Sequence, residues 1–119
     1  MVQTLTIRAQ SPWRHHNIAL FDNEPLRFEI LDRPLGHEII FTVGPDSAGA
    51  PVIEVVIPDT ITLDASQLDA VPEGATYFYN IWSRYAGQLT LVQRGKLLSR
   101  SSIAPEGVPL TLTLGALPF

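Results

Sequence analysis

The chain contains no cysteine, which removes disulfide frameworks, zinc–thiolate sites and thiol nucleophiles from consideration. Charge is scarce as well. Charged residues make up 17% of the 119 positions, where a typical domain carries about 25%. Lys96 is the only lysine, the seven arginines are scattered, and the net charge is -4. A nucleic-acid binder needs a basic stripe, so no nucleic-acid partner is expected. No apolar run approaches the roughly 18 residues of a membrane span, and none is expected. The opening residues, Met1-Val-Gln-Thr-Leu-Thr-Ile, lack the basic and apolar regions of a signal peptide. Sustained helical periodicity is missing too: no window of eleven or more residues holds a 3.6 period free of proline. The strongest helical signal is one turn near residues 64–70, capped by Asp64 or Ser66 and stopped by Pro72.

What remains is apolar and punctuated. Hydrophobic residues are 45% of the chain, enough to exclude disorder. A fold of this mass buries about two thirds of its extended surface, so a real core is possible. Ten prolines and eight glycines fall mostly between short apolar runs. Alternation, β-branched content and flanking turns predict strands at 3–7, 18–21, 26–31, 38–43, 52–57, 60–63, 76–85, 89–93, 96–99 and 110–114. Gly44-Pro-Asp-Ser-Ala-Gly-Ala-Pro51 reads as a hairpin connection, and Tyr85-Ala-Gly-Gln88 as a tight turn. Pro58-Asp59 leaves open whether its flanks are two strands or one kinked strand. Turn signals every eight to twelve residues argue for a single all-β domain over 1–119, an antiparallel sandwich or small barrel.

The richest stretch is Leu68-Asp-Ala-Val71-Pro72-Glu73-Gly74-Ala-Thr-Tyr77-Phe-Tyr79-Asn-Ile81-Trp82. A leucine, then Pro-x-Gly, then a tyrosine opening a long strand is the layout of a tyrosine corner, with Tyr77 bonding back to backbone. Period two then turns Tyr79, Ile81 and Ser83 inward and Phe78, Asn80, Trp82 and Arg84 outward. Two large aromatics on an outer face call for a cover, either a loop or a partner. The expected core is Leu5, Ile7, Phe28, Ile30, Ile39, Phe41, Val55, Ile57, Leu63, Leu68, Tyr77, Tyr79, Ile81, Leu89, Leu91 and Leu97.

From Leu26 to Ser99 the pattern resembles the immunoglobulin-like β-sandwich modules of phage tail and baseplate proteins. It is similar in particular to the N-terminal domain of upper baseplate proteins. The residues carrying this are Pro34-Leu-Gly-His-Glu-Ile-Ile-Phe-Thr-Val43, Thr62-Leu63-Asp64, Leu68, Val71-Pro72-Glu73-Gly74 and Tyr77 to Trp82. Gly87, Leu91 and Gly95-Lys96-Leu97 complete the order. The Pro-x-Gly-x-x-Tyr corner is also similar to that of fibronectin type III domains, so it supports the sandwich more than the phage. The resemblance implies a structural subunit of a tail or baseplate, assembled in the bacterial cytoplasm and carried in the virion. It implies protein–protein contacts, homo-oligomerisation, no catalysis and no cofactor.

The residues offer little against that expectation. His15, His16 and His37 are the only histidines, and adjacent histidines on a strand point apart, so no metal site is expected. Gly44-Pro-Asp-Ser47-Ala-Gly49 has the wrong spacing for a nucleophile elbow. Gly95-Lys96 lacks the upstream glycine of a phosphate loop. The pairs Asp59/Asp64 and Asp22/Glu24 read as turn acids and sit away from sugar-holding aromatics. Trp13, in the loop Ser11-Pro12-Trp13-Arg14-His15-His16-Asn17, offers a large apolar face beside cations. The apolar terminus brings Leu112, Leu114, Leu117 and Phe119, an aggregation-prone edge unless paired. The expected partner interface is therefore Trp13, Phe78, Trp82, Leu112, Leu114, Leu117 and Phe119. A carbohydrate- or ligand-binding sandwich using Trp13 is the alternative.

Overall fold

Alternating apolar residues become strands here because each strand has one face to bury. β1 (Gln3–Arg8) buries Leu5 and Ile7, and β4 (Leu26–Leu31) buries Leu26, Phe28 and Ile30. The computed structural model describes residues 2–10, 14–22, 24–46 and 49–100, and none of them is helical. The other strands are β2 (Arg14–His15), β3 (Ile18–Phe21), β5 (Glu38–Gly44), β6 (Ile53–Ile57), β7 (Thr60–Leu63), β8 (Thr76–Tyr85) and β9 (Gln88–Arg100).

Two sheets result. The smaller has the order β1-β4-β7, and the larger the order β2-β9-β8-β5-β6, with β3 also on β9. One hydrophobic cluster joins them. Phe28 of the small sheet meets Phe41 of the large one at 4.8 Å between ring centroids, and Phe41 meets Tyr79 at 5.9 Å. Pro58 and Asp59 carry the chain between sheets, so β6 and β7 are two separate strands. The Asp59 carbonyl accepts from Ile30 N, and its carboxylate pairs with Arg33 at 2.7 Å.

The pairing is mixed, which corrects the all-antiparallel expectation. β1 runs parallel to β4, and both β2 and β3 run parallel to β9. β2 and β3 keep one register along β9, Arg14 to Gln93 and Ile18 to Leu97, so they are one edge strand interrupted at His16-Asn17. The stretch read as a loop is thus strand from Arg14 onward. Parallel pairing follows from direction: β1, the β2/β3 edge and β4 alternate, and each edge segment meets a neighbour distant in sequence.

β9 is one strand where two were expected. Gly95 lies inside it because a side chain there would land 1.9 Å from the His16 carbonyl oxygen. A β-bulge then reverses the inward set. Ile81 faces Gln93, but Trp82 faces Leu91, which leaves Val92 as the extra residue. Val92 and Gln93 are consequently both buried. Leu89 and Leu91, expected in the core, sit on the outer face opposite Arg84 and Trp82. Val55 and Tyr77 pack on the core edge, only partly buried. The predicted strand at 110–114 lies outside the described residues.

The turns follow their residues. Ala86 and Gly87 have φ of 51° and 77°, the two left-handed positions of a two-residue hairpin turn. Asp64 Oδ1 accepts from Ser66 Oγ at 2.6 Å and from Gln67 N at 3.1 Å, and the Gln67 side chain returns a bond to Asp64 N. That reciprocal capping box closes the single turn after β7. Those bonds, the one from Ser66 foremost, hold the Asp64 carboxyl below its usual range.

Candidate functional site

The outer face of the large sheet is written in rows by its register. One row runs Val56, Ile40, Trp82, Leu91 across β6, β5, β8 and β9. It is apolar throughout: Val56 is 51% exposed, Trp82 and Leu91 are half-buried, and Ile40 is buried beneath its neighbours. The next row is Glu54, Thr42, Asn80, Arg94, and the one beyond holds Gly44, Phe78 and Lys96. On the other side lie Glu38, Arg84 and the exposed Leu89. Trp82 Nε1 donates to Thr42 Oγ1 at 3.1 Å, which ties the indole on β8 to β5. A shallow groove of about 380 Å³ opens here, lined by Thr42, Asp46, Glu54, Asn80, Trp82 and Leu89 among others.

Of the seven predicted interface residues, Phe78 and Trp82 share this face, both half-buried. Trp13, Leu112, Leu114, Leu117 and Phe119 lie outside the described residues. Sequence reasoning missed Ile40 and Val56. The run Ile39-Ile40-Phe41 was the available signal, since three successive apolar residues in a strand mean apolar demand on both faces. Leu89 and Leu91 were missed because nothing in the composition marks the bulge that turns them outward.

The inner face holds a polar cluster of a different kind. Tyr79 is fully buried. Its hydroxyl donates to the His16 carbonyl at 2.5 Å and accepts from Gln93 Nε2 at 2.9 Å. Asn17 Oδ1 accepts from Lys96 N at 3.0 Å, and His16 N donates to the Arg94 carbonyl at 2.9 Å. The interrupted edge is therefore pinned to β9 by the Tyr79 and Asn17 side chains together with that one backbone bond. The pinning tyrosine is Tyr79. Tyr77, expected in that role, has no hydrogen-bond partner for its hydroxyl among the described residues. Two residues decide the difference, because Tyr79 faces Gly95 across the strands and only glycine leaves room for the carbonyl it reaches. Burial raises the Tyr79 pKa above the ordinary 10.0, partly opposed by the Gln93 bond. A phenol held by two hydrogen bonds in this way ties β8 and β9 to the interrupted edge.

A histidine–serine contact also forms. His37 Nδ1 and Ser83 Oγ share a hydrogen bond of 2.9 Å, and the His37 ring stacks on Tyr85 at 4.5 Å. Ser83 is only 6% exposed, and among the described residues no carboxylate hydrogen-bonds the imidazole. Among the described residues this contact has neither the accessible nucleophile nor the orienting acid of a Ser–His–acid triad. No group of three His, Asp or Glu side chains converges among the described residues, and none of their helices is long and apolar enough to cross a membrane. No protein-family model matches the chain, and no curated protein matches it either.

Proposed function

We propose that this chain is an immunoglobulin-like β-sandwich that acts as a structural subunit of a phage or prophage tail or baseplate, working through protein–protein contacts. The single observation that carries the assembly reading is the apolar row Val56, Ile40, Trp82, Leu91, joined on the same outer face by Phe78 and the exposed Leu89. The strand order supports the sandwich. β9-β8-β5-β6 forms an antiparallel four-strand layer, the β2/β3 edge joins it in parallel, and β4 and β7 face it across a shared core. The phage assignment rests on the sequence resemblance from Leu26 to Ser99. Such a subunit contributes shape: a rigid sheet presents a fixed face to its neighbours in a symmetric assembly. Co-expression with the products of the adjacent genes tests this. The expected result is a stable complex with a tail or baseplate protein, lost in Trp82→Ser. Adjacent genes unrelated to tails, or a complex indifferent to this face, would overturn it.

A second reading is favoured by one feature. Trp82 sets an indole beside Asn80, Glu54 and Asp46 in the open groove, the mixture of aromatic face and polar rim that holds a sugar. Titration of tryptophan fluorescence with a panel of sugars tests it, with Trp82→Phe isolating the groove from Trp13. No change in emission would end that reading.

A further inference from the structure

Charged groups on the outer face of the large sheet are of two kinds. At one end Glu38 and Arg84 satisfy each other, Arg84 Nη2 donating to Glu38 Oε2 at 3.2 Å. At the other end Asp46 and Glu54 border the Trp82 groove of about 380 Å³. Both are exposed, and neither carboxylate bonds or pairs with another described residue. The half-buried Asn80 amide in the same lining is equally without a partner among the described residues. No arginine, lysine or histidine lines the groove, and Arg94, which ends the row Glu54, Thr42, Asn80, Arg94, stands beyond Asn80 and outside the lining. The register brings the indole to these groups. Trp82 Nε1 reaches Thr42 on β5, and Thr42 stands directly opposite Glu54 on one side and Asn80 on the other. Glu54 and Asn80 are thus two strand spacings apart, about 10 Å. The indole N–H is already used by Thr42, so the ring offers a ligand its π face, which stacks on a sugar and attracts a cation.

We infer that this groove takes an amino sugar, a pyranose carrying a free ammonium group, with its ring against Trp82, its hydroxyls on Asn80 and its ammonium on Glu54 and Asp46. The inference deepens the second reading above and rests on it, naming the class of sugar. Charge decides the class. Carboxylates without partners accept from the hydroxyls of a neutral sugar, but a bond in which the donor is charged as well is stronger and shorter, and the ammonium also meets the negative face of the indole. An acidic sugar would set its own carboxylate against Asp46 and Glu54. An N-acetylated sugar has no positive charge to offer.

Tryptophan emission of the full chain, titrated at constant ionic strength with D-glucosamine, D-glucose and N-acetyl-D-glucosamine, tests this, with choline as a cation that lacks the sugar ring. Ligands of about a dozen heavy atoms in an open groove bind in the millimolar range, so titration to about 100 mM covers them. Glucosamine is expected to bind about tenfold more tightly than the two neutral sugars. The emission change is expected to vanish in Trp82→Phe, which leaves Trp13 as the only indole. The double variant Asp46→Asn, Glu54→Gln is expected to bring glucosamine to the level of glucose. Both carboxylates are exposed, and matching melting curves confirm that the variants are folded. Glucose bound as tightly as glucosamine, or a preference that survives the double variant, would overturn the inference and leave the sugar reading standing. Choline bound as tightly as glucosamine would overturn it as well, since the groove would then select charge without a sugar. Emission unmoved by all three sugars, or moved equally in Trp82→Phe, would overturn the inference and the sugar reading together.

Discussion

Replacing Tyr79 by Phe deletes one oxygen and keeps the ring that covers Gly95 and packs on Phe41. That oxygen donates to the His16 carbonyl and accepts from the buried Gln93 amide. Its removal leaves the buried Gln93 amide and the His16 carbonyl, at a part-buried contact, without that partner. Each such group costs about 1–3 kcal/mol, so Tyr79→Phe is expected to lose about 2–4 kcal/mol. For a domain of this length that is a fall in melting temperature of about 8–15 °C. Urea unfolding followed by tryptophan emission gives the free energy, and a thermal melt gives the second estimate. Tyr77→Phe is the control, since the Tyr77 hydroxyl bonds no described residue, and its cost should stay within about 0.5 kcal/mol. The alkaline limb carries a further signature. Burial raises the folded pKa of Tyr79 above 10.0, so its contribution is complete below the unfolded value and is lost as pH rises through the folded one. Wild type should therefore lose stability above about pH 10 more steeply than Tyr79→Phe. A Tyr77→Phe cost equal to that of Tyr79→Phe would refute the assignment of the pin.

Four further substitutions follow from the backbone. Gly95→Ala places a methyl 1.9 Å from the His16 carbonyl oxygen and must push the β2/β3 edge off β9; about 2–4 kcal/mol should be lost in urea unfolding. Ala86 holds φ of 51° at a position that suits Gly or Asn, so Ala86→Gly should raise stability by about 0.5–1 kcal/mol, read as a higher melting temperature. The bulge predicts opposite fates for two neighbours on β9. Val92→Ala should cost about 1–3 kcal/mol because Val92 is buried, whereas Leu89→Ala should cost under about 0.5 kcal/mol because Leu89 is 56% exposed. Equal costs would mean that the register is wrong.

Local chemistry announced most of the strands. Alternation in Leu26 to Leu31, the two-residue turn at Ala86-Gly87 and the Asp64 cap are each decided within a few residues, so they are readable from the chain alone. The split of Tyr79, Ile81 and Ser83 inward from Phe78, Asn80 and Trp82 outward follows from period two in the same way. The face of Leu89 and Leu91 is another matter, because a bulge is set by what both strands of a pair can accommodate. Likewise Gly95 looks like a turn residue until the His16 carbonyl is brought over it from a segment far away in the chain. The same long-range approach selects Tyr79 over Tyr77 as the pin. The Glu38–Arg84 ion pair across the β5–β8 seam exists only once strands distant in sequence lie side by side. Periodicity is a property of one strand and can be read along it; register and facing are properties of pairs, and only folding creates the pairs.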